Sequence, residues 1–346
     1  MGAILGIIFH GLGGFGAGSF YIPFKQVKKW SWESSWLVLG VMAWVVAPLV
    51  MASITVPNLV EVLSSAPTAT KFWTYFFGIL WGIGGLTFGL SMRYLGVSLG
   101  MTIALGFCTA FGTLIPPLFH GNFGDLISTQ TGQITFAGIL LCLLGIAIVG
   151  RAGFMKEKQM NSQVANTSIK EFNLMKGLAV AVTSGILSAC FAFGLEAGGS
   201  ISDLAVSQGA NELFRNNAVL VWILWGGITT NSIYCIILNF RNKSHKDYGN
   251  SGTPLVANYL WASLGGITWY LQFFFYGMGT TYLGEKYDFA SWSIHMAFII
   301  FFSNFWGIYY KEWKGVTKNT SLVLGAGLFV ILLSVVLIGM ANTLSH

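Results

Sequence analysis

A few side chains with chemistry to offer lie inside long apolar runs, His10, Glu196, Trp269, Gln272, Tyr276, Trp292 and His295, or at the entrance of one, Asp288. An ionised group in hydrocarbon costs at least about 2.5 kcal/mol, so the ionisable ones among them are candidates for function by position alone. His10 is flanked by Gly11, Gly13 and Gly14, and an imidazole there can exchange a proton or bond a hydroxyl. A neutral ring donating to a backbone carbonyl is the plain structural alternative. Asp288, Trp292 and His295 recur at i, i+4 and i+7, which places them on one face of a helix. A carboxylate and an imidazole on one stripe can carry a proton, while the indole stacks on a ligand. Asp288 also reads as an N-terminal cap favoured by the helix dipole.

Trp269-Tyr270-Leu271-Gln272-Phe273-Phe274-Phe275-Tyr276 concentrates rings around one amide. Flat aromatic faces suit the C–H surface of a sugar ring, and an amide offers a donor and an acceptor to a hydroxyl pair. Aromatics also populate membrane interfaces, so mid-helix Gln272 is the more telling residue. The candidate substrate-binding set is His10, Trp269, Gln272, Tyr276 and Trp292; the candidate proton-coupling set is Asp288, His295 and His10. Glu196 ends its run at the outer side, where it reaches water or serves as a coupling group.

The elements that must hold these residues are ten apolar runs, at about 2–24, 34–56, 72–92, 97–119, 132–150, 177–196, 216–240, 255–280, 289–310 and 321–341. Each is near the roughly 20 residues a helix needs to cross a hydrocarbon core. Continuous rather than alternating runs call for helices, not barrel strands, because hydrocarbon leaves no partner for open backbone. Of the 18 lysines and arginines, only Lys71, Arg215 and Lys286 fall in the even gaps between runs; the other 15, from Lys25 to Lys318, fall in the odd gaps. By the positive-inside bias the odd gaps are cytoplasmic and both termini lie on the non-cytoplasmic side.

The longest gap, Arg151 to Lys176, is polar and splits the runs into five and five. The expected organisation is a first five-helix repeat over 1–150, a cytoplasmic linker over 151–176 and a second five-helix repeat over 177–346. An odd number of spans per half makes any such repeat an inverted one. Tyr94-Leu95-Gly96 and Tyr282-Leu283-Gly284 close the third and eighth runs alike. The fold class is therefore an all-α membrane protein, ten transmembrane helices in an inverted five-plus-five repeat.

With 54% hydrophobic and 9% charged residues the chain is no ordinary soluble protein; its partner is the lipid bilayer. The net charge of +6 is accounted for by loops facing anionic headgroups, so no nucleic-acid partner is expected. The first run lacks the basic start of a cleaved signal peptide and reads as a retained span. Cys108, Cys142, Cys190 and Cys235 sit singly inside apolar runs, which gives neither a metal site nor a disulfide framework. No phosphate loop, HExxH, GxSxG or CxxC pattern occurs, so no cofactor and no enzymatic activity are expected. A carrier or a channel is left, with an intramembrane enzyme a distant third.

Phe20-Tyr21-Ile22-Pro23-Phe24-Lys25-Gln26-Val27-Lys28-Lys29-Trp30-Ser31-Trp32-Glu33, Ser91-Met92-Arg93-Tyr94-Leu95-Gly96, Gly121-Asn122-Phe123, Glu171-Phe172-Asn173-Leu174, the Trp269–Tyr276 segment, Tyr287-Asp288 with Ser291-Trp292, and Lys311-Glu312-Trp313 together resemble the L-rhamnose/proton symporters. The resemblance runs from the first span to the last cytoplasmic loop. It implies membership of the drug/metabolite transporter superfamily and uptake of a 6-deoxyhexose with protons across the bacterial inner membrane. Gly84-Gly85-Leu86-Thr87-Phe88, Leu195-Glu196-Ala197-Gly198 and the loop from Ala197 to Arg215 depart from the family pattern, which leaves room for L-fucose or L-lyxose and for a coupling role at Glu196. The favoured reading is a proton-coupled L-rhamnose symporter working by alternating access. Its alternatives are a drug or metabolite exporter of the same fold, a sodium-coupled sugar symporter, and a passive channel.

Overall fold

The structure, a computed structural model, describes residues 2–119, 124–160, 172–283 and 288–343, with the side chains of 2–3, 113–119, 125–126, 157, 160, 288–290, 293, 338–339 and 341–343 excepted. Gly121-Asn122-Phe123, linker residues 161–171 with Lys170, and Lys286 with Tyr287 lie outside the described residues. Among the described residues every regular element is helical: α1 (Gly2–Ser19), α2 (Tyr21–Phe24), α3 (Trp32–Val41), a π-helical turn (Met42–Val46), α4 (Ala47–Thr55), α5 (Leu59–Ser65), α6 (Thr68–Leu95), α7 (Val97–Phe119), α8 (Asp125–Ser128), α9 (Gln130–Met160), α10 (Leu174–Ser188), α11 (Cys190–Ala197), α12 (Gly199–Ser207), α13 (Asn217–Arg241), α14 (Leu255–Leu283), α15 (Asp288–Tyr309) and α16 (Lys318–Thr343).

Every apolar run read from the sequence coincides with one of these helices or with a consecutive set of them. Among the described residues seven stretches are long and apolar enough to cross a membrane: Ile4–Phe24, Trp32–Thr55, Thr68–Leu95, Gln130–Lys156, Leu174–Ala197, Glu212–Arg241 and Lys318–Leu337. Val97–Gly112 and Ile294–Tyr309 are apolar but shorter. α14 is long, yet its Trp, Tyr, Gly and Gln residues keep it from reading as plain hydrocarbon. The chain is a multi-pass helical membrane protein.

The helices gather into two compact units, which are not the two covalent halves. One unit comprises Met1–Gly14, Gly84–Ala189 and Leu283–His346; the other comprises Phe15–Ile83 and Cys190–Tyr282. In the first, α9 runs along α16, and α7 packs on α10, α15 and α9. Small residues bring the backbones close: a methyl group at Gly145 would sit 2.6 Å from Ile331 Cγ1, and one at Gly327 would sit 2.7 Å from Val149 Cγ2. α6 stops at Gly96, whose φ of 87° suits the left-handed residue after a helix C-terminus, and α7 starts at once. The first two amides of α7, Val97 and Ser98, donate to the two carboxylate oxygens of Glu312, each at 3.1 Å.

In the second unit α13 packs on α3, the π-helical turn and α4. One end of it is tied by a buried polar network: Glu33 accepts from Asn242 Nδ2 at 2.9 Å and Ser244 Oγ at 2.7 Å, and Ser34 Oγ donates to Asn239 Oδ1 at 2.9 Å. The linker reading changes at its start, because α9 continues to Met160. Lys156 is therefore not a loop cation but a 2% exposed residue, its ammonium 4.6 Å from the centre of the Trp313 ring.

Candidate substrate and proton sites

α14 carries Trp269, Gln272, Phe273 and Tyr276 at i, i+3, i+4 and i+7, one stripe of the helix. Trp269 is fastened on three sides. Phe20 stacks on it with ring centroids 4.5 Å apart, Trp44 meets it edge-on at 5.0 Å, and Trp36 is tilted against it at 5.4 Å. One turn along, Phe273 meets Trp81 at 5.4 Å and Phe191 at 4.9 Å, and Trp81 and Phe191 touch each other at 5.6 Å. Seven rings from α14, α3, the π-helical turn, α6, α11 and the residue joining α1 to α2 thus form one aromatic wall. All of it lies within the second unit.

The wall is held in register by Asn231 of α13. Its carbonyl accepts from Trp36 Nε1 at 2.9 Å, and its amide donates to the Gly82 and Gly227 carbonyls at 2.8 and 2.9 Å. That one side chain joins the backbone of α6 to its own helix and fixes the indole of Trp36. Gln272 contrasts with it. It is only 8% exposed, yet among the described residues its amide has no hydrogen-bond partner. An amide without a partner there offers both a donor and an acceptor to a ligand hydroxyl. Tyr276 is half-buried at the end of the same stripe.

The proton candidates fall in the first unit. His10 and His295, both buried, meet in a T-shaped contact with ring centroids 5.8 Å apart. The close approach of α1 to α15 makes this possible, since a methyl group at Gly14 would overlap Phe298 Cβ. Trp292 is half-buried, with its indole nitrogen 3.0 Å from where a methyl group at Gly112 of α7 would stand. Asp288 opens α15, as its reading as an N-terminal residue requires, and its side chain lies outside the described residues. Glu196 is exposed near the end of α11, as expected of a group reaching water.

The sequence-predicted residues thus separate into Trp269, Gln272 and Tyr276 in one unit and His10, Trp292 and His295 in the other. A cleft of about 550 Å³ at Val56, Asn58 and Glu61 touches none of them. Among the described residues no cluster of metal-ligating side chains occurs.

The family model described as L-rhamnose-proton symport protein (RhaT) matches residues 1–343. The chain belongs to that family. It is similar to the L-rhamnose-proton symporters of Yersinia pestis (strain Pestoides F) and Yersinia pseudotuberculosis serotype O:1b (strain IP 31758), each 40% identical over 340 residues, 97% of either chain. The L-rhamnose-proton symporter of Escherichia coli (strain K12 / DH10B) is 39% identical over 343 residues, 98% of both chains. These relatives are named as transporters, not enzymes.

In this member of the symport family, the sequence reading singled out the stripe on α14 and both histidines but not Trp36, Trp44, Trp81 and Asn231, which the structure packs or bonds around that stripe. One signal was available: a constant 188 residues separates Gly78 from Gly266, Trp81 from Trp269 and Tyr94 from Tyr282. That spacing pairs Trp81 with Trp269 in the sequence. Ser291 was also missed; it is fully buried one turn before His295, and its hydroxyl has no hydrogen-bond partner among the described residues.

Proposed function

We propose that this chain takes up L-rhamnose together with protons across the bacterial inner membrane, working as a ten-span secondary transporter by alternating access. The observation that carries the sugar reading is Gln272: a largely buried residue whose amide has no hydrogen-bond partner among the described residues, in the middle of a stripe of fixed aromatic rings. Such a surface suits a neutral, partly apolar ring with hydroxyls at its rim. A neutral sugar gains nothing from the membrane potential, so accumulation needs a co-transported ion. One proton at about 2.3 kcal/mol per 100 mV supports a gradient of about 50-fold from the potential alone.

In this reading Trp269, Gln272 and Tyr276 hold the ring, and Trp292 and His10 are further substrate-binding candidates. Asp288, His295 and His10 carry the proton. The exporter reading is less favoured, because such a pump needs a carboxylate deep in a span and Glu196 is exposed near a helix end.

Both termini face the non-cytoplasmic side by the charge bias, and 1–150 and 177–346 form inverted repeats about the 151–176 linker. Recurring contacts support the repeat. Gly14 abuts Phe298 as Gly185 abuts Phe107; Gly78 abuts Ile223 as Gly266 abuts Leu39; Gly145 abuts Ile331 as Gly327 abuts Val149. Phe20 packs on Trp269 as Phe191 packs on Trp81. In each pair the first and second halves exchange roles, as a two-fold relation between repeats requires.

The test is uptake by purified protein in proteoliposomes with labelled L-rhamnose and an imposed pH gradient. Accumulation that survives collapse of the gradient and follows sodium instead would overturn proton coupling. Competition by L-fucose or L-lyxose exceeding that by L-rhamnose would reassign the sugar.

A further inference from the structure

Trp44 occupies the centre of the aromatic wall and is assigned no role by the family resemblance or by the sequence reading. It lies in the π-helical turn Met42–Val46, where the Ala47 amide reaches back to the Met42 carbonyl. Single π-turns inside helices add a residue to the turn at a cost in backbone hydrogen bonding and cluster at functional sites. Here the turn re-aims one side chain. Trp44 meets Trp269 at 5.0 Å and 66° and Trp81 at 6.0 Å and 83°, so it stands edge-on between the two tryptophans that share the 188-residue spacing. Gly40, one turn earlier, leaves the space for the indole: a methyl group there would lie 2.8 Å from Trp44 Cζ3.

The indole is fully buried, yet its Nε1–H has no acceptor among the described residues. Its neighbour makes the contrast: Trp36, equally buried in the same wall, has its Nε1–H matched by Asn231 at 2.9 Å. An unmatched indole donor inside a membrane protein costs about 1–3 kcal/mol unless something arrives to accept from it. Indole nitrogen only donates, so the visitor must bring an acceptor oxygen. Trp44 packs on Trp269, one helical turn from the unpartnered Gln272 amide on the same stripe. Tyr270 also has a buried hydroxyl without a partner, but it projects about 100° away from Trp269 around α14.

From these contacts we propose that Trp44 is a substrate-binding residue whose Nε1–H donates to one ring hydroxyl oxygen of the sugar, between the two register-related tryptophans. The assignment rests on the sugar reading above. It adds a donor that discriminates by position on the ring, whereas stacking on Trp269 discriminates little.

The test uses the full-length protein in detergent and in proteoliposomes, with L-rhamnose and its 2-, 3- and 4-deoxy analogues as probes. Trp44→Phe keeps a ring and removes the N–H; it is expected to weaken L-rhamnose binding about 10-fold, the usual loss for one hydrogen bond. For one analogue, the wild-type protein should show that same 10-fold loss relative to L-rhamnose and Trp44→Phe should show none, while the losses for the other two analogues persist in both proteins. Trp36→Phe, which unmakes a bond internal to the protein, should lower thermal stability and leave the pattern among analogues unchanged. Should Trp44→Phe fold poorly, the wild-type analogue series with Trp44→His, which restores a ring N–H, provides the same comparison. Wild-type affinity in Trp44→Phe, or equal analogue losses in both proteins, overturns the proposal and leaves the N–H directed at a neighbouring ring. Absence of L-rhamnose binding by the wild-type protein would overturn the sugar reading first, and this assignment with it.

Discussion

His10 on α1 and His295 on α15 present their rings to each other with centroids 5.8 Å apart and planes at 65°. Two positive imidazoles at that separation repel by about 3 kcal/mol at an effective dielectric of 20. The pair therefore carries at most one charge at a time, which suits one proton per transport cycle. His10→Asn and His295→Asn, made singly, are each expected to abolish accumulation driven by a pH gradient while sugar counterflow, which needs no net proton movement, continues. Proteoliposome uptake and counterflow measured side by side check this, and near-normal accumulation in both variants would remove the pair from coupling.

Asp288→Asn is expected to act the same way for a different reason. A carboxylate at the opening of α15 is about two turns from His295 on one helix face, and losing its charge removes a proton acceptor at the mouth of that stripe. Uphill uptake should disappear with exchange preserved. Retained accumulation would reduce Asp288 to a helix cap, and then only thermal stability should change.

Much of the fold was legible because its signals are local. Apolar runs near the length of a span and the spacing of lysines and arginines need no knowledge of packing, and every run coincides with a helix or a helix set. α14 shows where this stops: its Trp, Tyr, Gly and Gln residues keep a long helix from reading as a plain apolar span. Gln272 could be singled out because an amide in mid-span must find a partner, either within the protein, as Asn231 does, or in a ligand. Trp44 and Trp36 could not, since an indole is at home in any core; only the partner of each N–H tells them apart. Lys156 was misplaced as a loop residue because α9 runs past the apolar run into a polar stretch, and a cation is buried there against Trp313.

Gln272→Leu tests the amide that has no hydrogen-bond partner among the described residues. Leucine preserves volume and the apolar contact with neighbouring rings, so folding should be unaffected or improved. Sugar affinity should fall about 10-fold or more, the loss expected when a site built to bond a hydroxyl loses its partner. The readout is KM for uptake against maximal rate. Unchanged KM with a lower rate would mean that Gln272 serves the conformational cycle rather than binding.

Asn231→Leu has the opposite signature. It leaves Trp36 Nε1 and the Gly82 carbonyl without their side-chain partner, and the expected cost is about 1–3 kcal/mol of stability. The purified protein should unfold at a lower temperature. A second effect should accompany it, since a loosened Trp36 no longer braces Trp269: KM rises, although Asn231 itself is matched within the protein. Asn231→Asp keeps the acceptor for Trp36 and should recover part of the KM without recovering the carbonyl bonds.

Glu312 is a structural carboxylate, and its variants should move stability without moving sugar selectivity. The first amides of a helix have no partner within it, and their partial positive charge favours an anion. Glu312 supplies one from outside α7, with an oxygen for Val97 and another for Ser98. Ser98 continues the network: its hydroxyl donates to Asn304 Oδ1, and the Asn304 amide donates to Thr102 Oγ1 and to the Ile300 carbonyl, both at 2.8 Å. α7 and α15 are thereby joined at one end. Glu312→Ala removes both acceptors and the charge, a loss of about 2–3 kcal/mol for charge-assisted bonds. Glu312→Gln keeps one acceptor oxygen and no charge, so its thermal midpoint should fall between those of alanine and wild type. If the two variants are equally stable, the carboxylate does not hold the helix end, and the close approach at Gly307, where a methyl group would overlap Ser98 Cβ, is left as what joins α15 to α7 there.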